Sequence, residues 1–256
     1  MPSHINVHLL PALFEPDELL GGTAVIIDIL RASTTICHAL DAGAIQVIPC
    51  LTVDDARESA AVGSAVRTVL GINESKNILL GGERGGEKID GFDLSNTPTE
   101  YTPEVVGGKT VLFTTTNGTK ALHHSSQAEV VLIGAFANLS SVISYLSDQQ
   151  RPIHLVCAGT NGAITGEDVL FAGAVVAGLL ENQPNLKFGN DSTRLALDFW
   201  RANSQNEAQF RQAMLDSQGG RNLQKLGLTA DIERAGDRDL FNLVPQWIKQ
   251  TNSITR

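Results

Sequence analysis

The chain is expected to fold as α/β, a three-layer α/β/α arrangement around a mostly parallel sheet, with a helical segment near its C-terminal end. Two features carry that expectation. Short apolar runs rich in β-branched residues recur with little polar alternation, which is how strands covered on both faces read. Segments of helical texture separate them, so that strand, helix and strand succeed one another as crossover units.

The first run is INVHLL (5–10), and after a proline-broken stretch comes AVIID (24–28). STTICHALDAG opens on hydroxyl residues, which favour helix starts, with Thr35 as a cap, and stops at Gly43, a natural C-terminal residue. AIQVIP (44–49) is the next strand and TVDDARESAAVG the next helix. NILLGG (77–82), KTVLFTT (109–115), EVVLIG (129–134) and PIHLVCAG (152–159) continue the strands. NGTKALHHSS and NLSSVISYLSDQ are the helices between them, with His123 and His124 on an exposed turn. DVLFAGAVVAGLLE is short and bounded by acids, which suits a buried helix. Beyond Gly189 the chain is helical and richer in Arg, Gln and Asn, until the strand-like LFNLVP (240–245).

No linker interrupts the sequence, so residues 1–256 are expected to form one α/β domain. LFTTTNGTKAL (112–122) and LVCAGTNGAIT (155–165) both run from a strand through TNG into a helix-like stretch. That echo is compatible with an internal duplication into halves of roughly 1–106 and 107–256.

A net charge of −9 and a pI of about 5.1 argue against nucleic-acid binding, which needs a basic face. Three widely spaced cysteines, Cys37, Cys50 and Cys157, suit neither a disulfide framework nor a structural zinc site, and Cys157 reads as a small buried apolar group. The first residues carry acids and prolines where a signal peptide needs basic and then apolar ones, and no run is long enough to span a membrane. A cytoplasmic protein is expected, with a homodimer as the default oligomer.

Chemistry gathers at the expected strand ends, where open α/β sheets bind their ligands. The second strand runs into Asp28, Arg31, Ser33, Thr34 and Thr35, and the fourth into a glycine-rich stretch holding Glu83, Arg84, Asp93 and Asn96. The fifth ends in Thr116, Asn117, Gly118 and Thr119; the seventh leads through Gly159, Thr160 and Asn161 to Glu167 and Asp168. Each piece alone reads blandly, as a helix cap, a turn or an acid complementing a helix dipole. Together they supply carboxylates, hydroxyls, free amides and arginines, the inventory of phosphoryl transfer. Carboxylates beside an anion call for a cation between them, and Mg²⁺ is the hard ion that carboxylates and phosphate oxygens share.

Several sharper readings fail. The chain has no GxxxxGK[ST], no GxGxxG followed by an acid, no GxSxG, no cysteine phosphatase loop at Cys157 and no HExxH. After Asp28 comes Ile-Leu, without the second aspartate of a phospho-aspartyl phosphatase. Phe199 and Trp200 read as core, and Asp231, Asp237 and Asp239 as surface salt bridges in preference to metal ligands.

With these residues in place, the sequence resembles the 2-phosphosulfolactate phosphatase family of the coenzyme M route. The resemblance lies in ordered blocks: VIIDILRASTT (25–35), GGERGGEKIDGFDLSNTP (81–98), FTTTNGT (113–119), VCAGTNG with GEDVLFAG (156–173), and GGRNLQKLG followed by DIERAGDRDLFNLVP (219–245). One departure is Ala235, where the family's last block often carries a cysteine, so no nucleophilic cysteine is implied there. The resemblance implies an Mg²⁺-dependent phosphatase acting on the phosphate monoester of a small anionic 2-hydroxy acid. It places Mg²⁺ among Asp28, Glu167 and Asp168, with Glu83 or Asp93 as further ligands. Arg31, Arg84 and Arg221 would clamp phosphate and the other acidic groups, although Arg221 could instead cap a helix end. Asn96, Thr116, Asn117, Gly118, Thr119, Gly159 and Asn222 would complete the substrate site, and a water, or Ser33 or Thr34, would attack phosphorus. Two alternatives stay open: a non-catalytic binder of phosphorylated hydroxy acids, and a phosphatase for another 2-phospho-hydroxyacid such as phospholactate.

Overall fold

A computed structural model of the protein describes residues 4–69 and 77–256. β1 (Ile5–His8) leads through two short 3-10 turns to β2 (Thr23–Ile27), whose residues are all buried. α1 (Ala32–Asp41) crosses to β3 (Gln46–Pro49), and α2 (Val53–Val69) precedes β4 (Ile78–Arg84). A tight turn gives β5 (Glu87–Lys88), and the one-turn α3 (Pro103–Val106) leads into β6 (Thr110–Thr114). α4 (Gly118–His124), β7 (Val130–Gly134), α5 (Leu139–Ser147), β8 (Ile153–Cys157) and α6 (Gly166–Asn182) follow in order.

The expected helical segment resolves into α7 (Asp191–Asn203), α8 (Glu207–Asp216), α9 (Gln218–Lys225) and α10 (Thr229–Ala235). Side-chain caps start three of them: Asn190 accepts the Thr193 N–H, Asn206 the Gln209 N–H and Ser217 the Gly220 N–H. The chain closes in a hairpin, β9 (Gln246–Ile248) and β10 (Ser253–Thr255).

The sheet has the order β1-β8-β2-β7-β9-β10-β3-β6-β4-β5. β1, β8, β2 and β7 form one parallel block, and β3, β6 and β4 a second. The β9–β10 hairpin joins them, antiparallel to both, through Leu132 opposite Gln246 and Ile254 opposite Val47. The α/β class and the mostly parallel sheet are therefore as expected. β2 and β8, each flanked on two edges and covered on two faces, are the runs with no polar alternation.

One strand is corrected. LFNLVP (240–245) pairs in no ladder; its backbone makes isolated bonds, Phe241 N–H to the Ala137 carbonyl and Ile133 N–H to the Pro245 carbonyl. Pro245 has no N–H to offer a ladder, and regular pairing begins just after it. Trp247 and Ile254 are the buried apolar residues of the hairpin. Among the described residues no helix is long and apolar enough to cross a membrane.

Candidate active site

A cleft of about 330 Å³ opens where the carboxyl ends of β2, β4, β6 and β8 meet α9. That volume lies at the small end of ligand pockets, about 300–1,000 Å³, and suits a metabolite of a few carbons. Asp28, Leu30 and Arg31 enter from the end of β2, and Glu83, Gly85 and Gly86 from the β4–β5 turn. Asn96, Thr116 and Asn117 flank β6, Thr160 and Asn161 follow β8, and α9 adds Asn222, Lys225 and Leu226.

Asp28 is buried between the first turns of α1 and α4. The Ala32 amide donates to its Oδ1 at 3.2 Å, and the Gly118 amide also bonds the carboxylate. A Cβ on Gly118 would lie 2.7 Å from Asp28 Oδ2, so this close approach requires glycine. Asp28 thus caps α1. Thr35, the expected cap, lies within the helix and donates instead to the Asn96 carbonyl at 2.9 Å. Burial raises the Asp28 carboxyl to about 7; the Glu83 and Glu167 charges add to this, and the two amides oppose it.

Asp168 ties two strand ends together: its Oδ1 accepts the Ile29 N–H and its Oδ2 the Gly159 N–H, both at 2.9 Å. Its neighbour Glu167 is 1% exposed and packs against the first turn of α9, where a Cβ on Gly219 would fall 2.1 Å from Glu167 Oε1. Glu167 Oε2 is buried with no hydrogen-bond partner. Burial, above all, pushes both carboxyls up, and for Asp168 the charges of Glu167 and Asp28 add to it. Glu83 accepts the Thr116 N–H on Oε1 at 2.8 Å and the Gly86 N–H on Oε2 at 2.7 Å.

Arg31 is 2% exposed and tightly held. Its Nη1 donates to Asp231 Oδ2 at 2.5 Å and to Thr97 Oγ1 at 3.2 Å, and its Nη2 to the Gly86 carbonyl at 2.6 Å. Thr97 Oγ1 donates to the same Asp231 oxygen at 2.9 Å. Asp231 is therefore a buried partner of Arg31 rather than a surface salt bridge. Asp237 does pair at the surface, with Arg211 and Arg234, while Asp239 accepts the Ser140 N–H.

The structure brings Asp28, Arg31, Glu83, Asn96, Thr116, Asn117 and Asn222 to the cleft lining. Glu167, Asp168, Gly118 and Gly159 support it from behind through the contacts above. The remaining expected site residues lie elsewhere. Ser33 Oγ donates to the Ile26 carbonyl at 3.2 Å and accepts the Asp28 N–H, and Thr34 Oγ1 donates to the Ile29 carbonyl at 2.9 Å. Both side chains are buried, neither lines the cleft, and each hydroxyl bonds backbone at the end of β2. Thr119 Oγ1 turns inward to Thr115.

Arg84 is drawn away by the Glu83 carbonyl at 2.7 Å and Thr114 Oγ1 at 2.8 Å. Arg221 donates to the Asp216 carbonyl at the end of α8 and to Gln218 Oε1, so the helix-cap reading holds for it. Asp93 Oδ2 accepts the Leu80 N–H at 3.0 Å on the flank of β4, outside the cleft lining. His123 and His124 are half-buried, His124 Nε2 lying 3.1 Å from the Phe14 carbonyl. Phe199 is 37% exposed, while Trp200 packs on Phe136 and Phe210. Sequence reasoning gave no role to Thr97 or Lys225, and their helix-end and loop contexts carry no local signal of one.

Among the described residues, no three His, Cys, Asp or Glu side chains form a ready-made metal cage. The donor set nevertheless fits a hard cation. Asp168 and Glu83 spend both oxygens on backbone amides, so the Asp28 carboxylate, which lines the cleft, and the orphaned Glu167 Oε2 behind it are the groups that would hold one. Mg²⁺ asks for that much, one or two carboxylates with water and phosphate oxygens completing the octahedron.

The family model described as 2-phosphosulpholactate phosphatase matches residues 8–250. A protein of Caldanaerobacter subterraneus named probable 2-phosphosulfolactate phosphatase is 40% identical over 244 residues, covering 93% of this chain and 92% of its own. Proteins with the same name from Thermotoga petrophila and Clostridium perfringens are 38% and 35% identical, covering 87% and 94% of this chain and 88% and 92% of theirs. A match of this extent over both sequences shows that the chain belongs to the 2-phosphosulpholactate phosphatase family.

Proposed function

We propose that the chain is an Mg²⁺-dependent phosphoric monoester hydrolase that converts 2-phosphosulfolactate to 3-sulfolactate and phosphate. The relatives' names support the phosphatase reaction and its substrate. The observation that carries the metal requirement is the buried carboxylate group itself. Asp28, Glu83, Glu167 and Asp168 stand together at the strand ends, while the nearby Arg31 is already matched by Asp231. A phosphate dianion enters such a floor only with a cation between.

Mg²⁺, when bound, neutralises charge between the carboxylates and the phosphate oxygens. The chain's own residues do the remaining work. Asp168 fixes the ends of β2 and β8, and with them the neighbouring carboxylates of Asp28 and Glu167. The Arg31 guanidinium, locked by Asp231, Thr97 and the Gly86 carbonyl, holds the β4–β5 turn and α10 against the end of β2 and so fixes the wall of the cleft. The side-chain amide of Asn96 and the Thr116 hydroxyl donate to the phosphate oxygens. With Ser33 and Thr34 buried outside the cleft lining, the nucleophile is a water. It attacks phosphorus as the ester P–O bond breaks; its proton passes to a floor carboxylate, and the leaving hydroxy-acid oxygen takes up a proton in turn.

The test is phosphate release from 2-phosphosulfolactate, with and without Mg²⁺ and after chelation. Release that stops on chelation and returns with Mg²⁺ supports the reading; release unaffected by chelation removes the metal from it. No release under any condition favours the alternative of a binding protein, and preference for 2-phospholactate would move the substrate.

A further inference from the structure

We propose that Lys225, with Asn222 one turn before it on α9, forms a subsite for the second acidic group of the substrate, the sulfonate or carboxylate remote from the phosphate. The proposal rests on the phosphatase reading above and adds what selects a doubly acidic ester over a simple one.

The cleft is electrically lopsided. Carboxylates make its floor, and its buried arginine is spent on Asp231 at 2.5 Å. Among the described residues lining it, Lys225 is the one cation with neither an ion pair nor a hydrogen bond. Lys225 closes the last turn of α9 and is solvent-exposed at the rim of the cleft. Asn222 points the same way along the helix by its i, i+3 spacing. Its Oδ1 accepts from Gln218 Nε2 at 2.9 Å, so its own NH₂ group is left as a donor.

The rim is also fixed in place. A Cβ on Gly86 would lie 2.6 Å from Leu226 Cδ1, so the β4–β5 turn touches the residue next to Lys225 and closes that side of the cleft. A ligand whose phosphate meets the floor must therefore direct its other end past α9. Phosphate and second acid only two or three carbons apart match a cavity of about 330 Å³.

The experiment compares the full-length protein with Lys225→Ala, Lys225→Glu and Lys225→Arg. Calorimetry measures binding of 3-sulfolactate and of inorganic phosphate, and steady-state kinetics measure 2-phosphosulfolactate against phenyl phosphate, which lacks a second acid. Loss of one charge-assisted contact should lower the ratio of kcat/KM between the two esters roughly 10- to 100-fold in Lys225→Ala, through KM, with a larger fall in Lys225→Glu and recovery in Lys225→Arg. Binding of 3-sulfolactate should weaken by a similar factor while that of phosphate weakens far less. A ratio that does not move, or 3-sulfolactate binding that is absent or unchanged by the substitutions, overturns the subsite. If the wild-type chain hydrolyses neither ester, the phosphatase reading fails, and the calorimetry still decides Lys225.

Discussion

Asp28 holds the first amide of α1 through Oδ1, receives the Gly118 amide and lines the cleft, so one side chain serves both a helix start and a site. Asp28→Asn keeps the shape and the cap but removes the charge. It should fold normally, as circular dichroism would show, and lose turnover by a factor of about 10³ or more, the scale on which essential electrostatic groups act. Full activity would remove the central role given to this residue. Gly219→Ala makes a subtler case. The added Cβ meets the tip of Glu167, a side chain that can rotate away, so the fold survives while the carboxylate leaves its place. We expect a melting temperature within a few degrees of wild type and kcat lowered roughly 10- to 100-fold. At this scale the sequence was legible for acids and amides next to strand ends. It was not legible for Ser33, Thr34, Arg84 and Arg221, because residue type does not say which partner a donor will find. Each of these found a nearby carbonyl or hydroxyl that the fold placed closer than the cleft.

Among the elements, β1 and β8 carry a second polar feature, remote from the cleft. His8 Nε2 and His154 Nδ1 lie 3.0 Å apart, and burial lowers both pKa values to about 4. Both rings are therefore neutral in the folded protein at neutral pH, one donating to the other. The unfolded histidines take up protons near 6.5, so the unfolded state gains protons first as the pH falls. The stability held above pH 6.5 is accordingly lost as the pH drops toward 4. The loss is on the order of 1–2 kcal/mol per histidine at pH 5. His8→Gln should lose less stability than wild type between pH 7.5 and pH 5 in urea denaturation; parallel losses would contradict the pair's role. Arg31 and Asp231 join the end of β2 to α10, and removing Asp231 leaves a buried guanidinium without its counter-charge. Asp231→Ala should cost about 3–5 kcal/mol in the same assay. The strand and helix order was readable from apolar runs and glycine stops, whereas the tie between residues 31 and 231 lies between segments far apart in sequence.

Over the whole molecule, two parallel blocks are held in one sheet by a hairpin of three-residue strands. A chain ending at Pro245 would expose the edges of β7 and β3, with the apolar residues that Trp247 and Ile254 cover. We expect it to be insoluble or to elute as aggregate in size-exclusion chromatography; a folded, active monomer would show that the hairpin is dispensable. The sequence by itself determined the class of fold, the order of strands and helices and the acids that crowd their ends. These follow from the period of apolar residues and from local chain stiffness, which act over a few neighbours. Only the tertiary structure decided how the two blocks join, which donors reach the cleft, and that Arg31 meets Asp231 while Lys225 stands free at the rim. Such pairings depend on packing between distant segments, and no local preference encodes them.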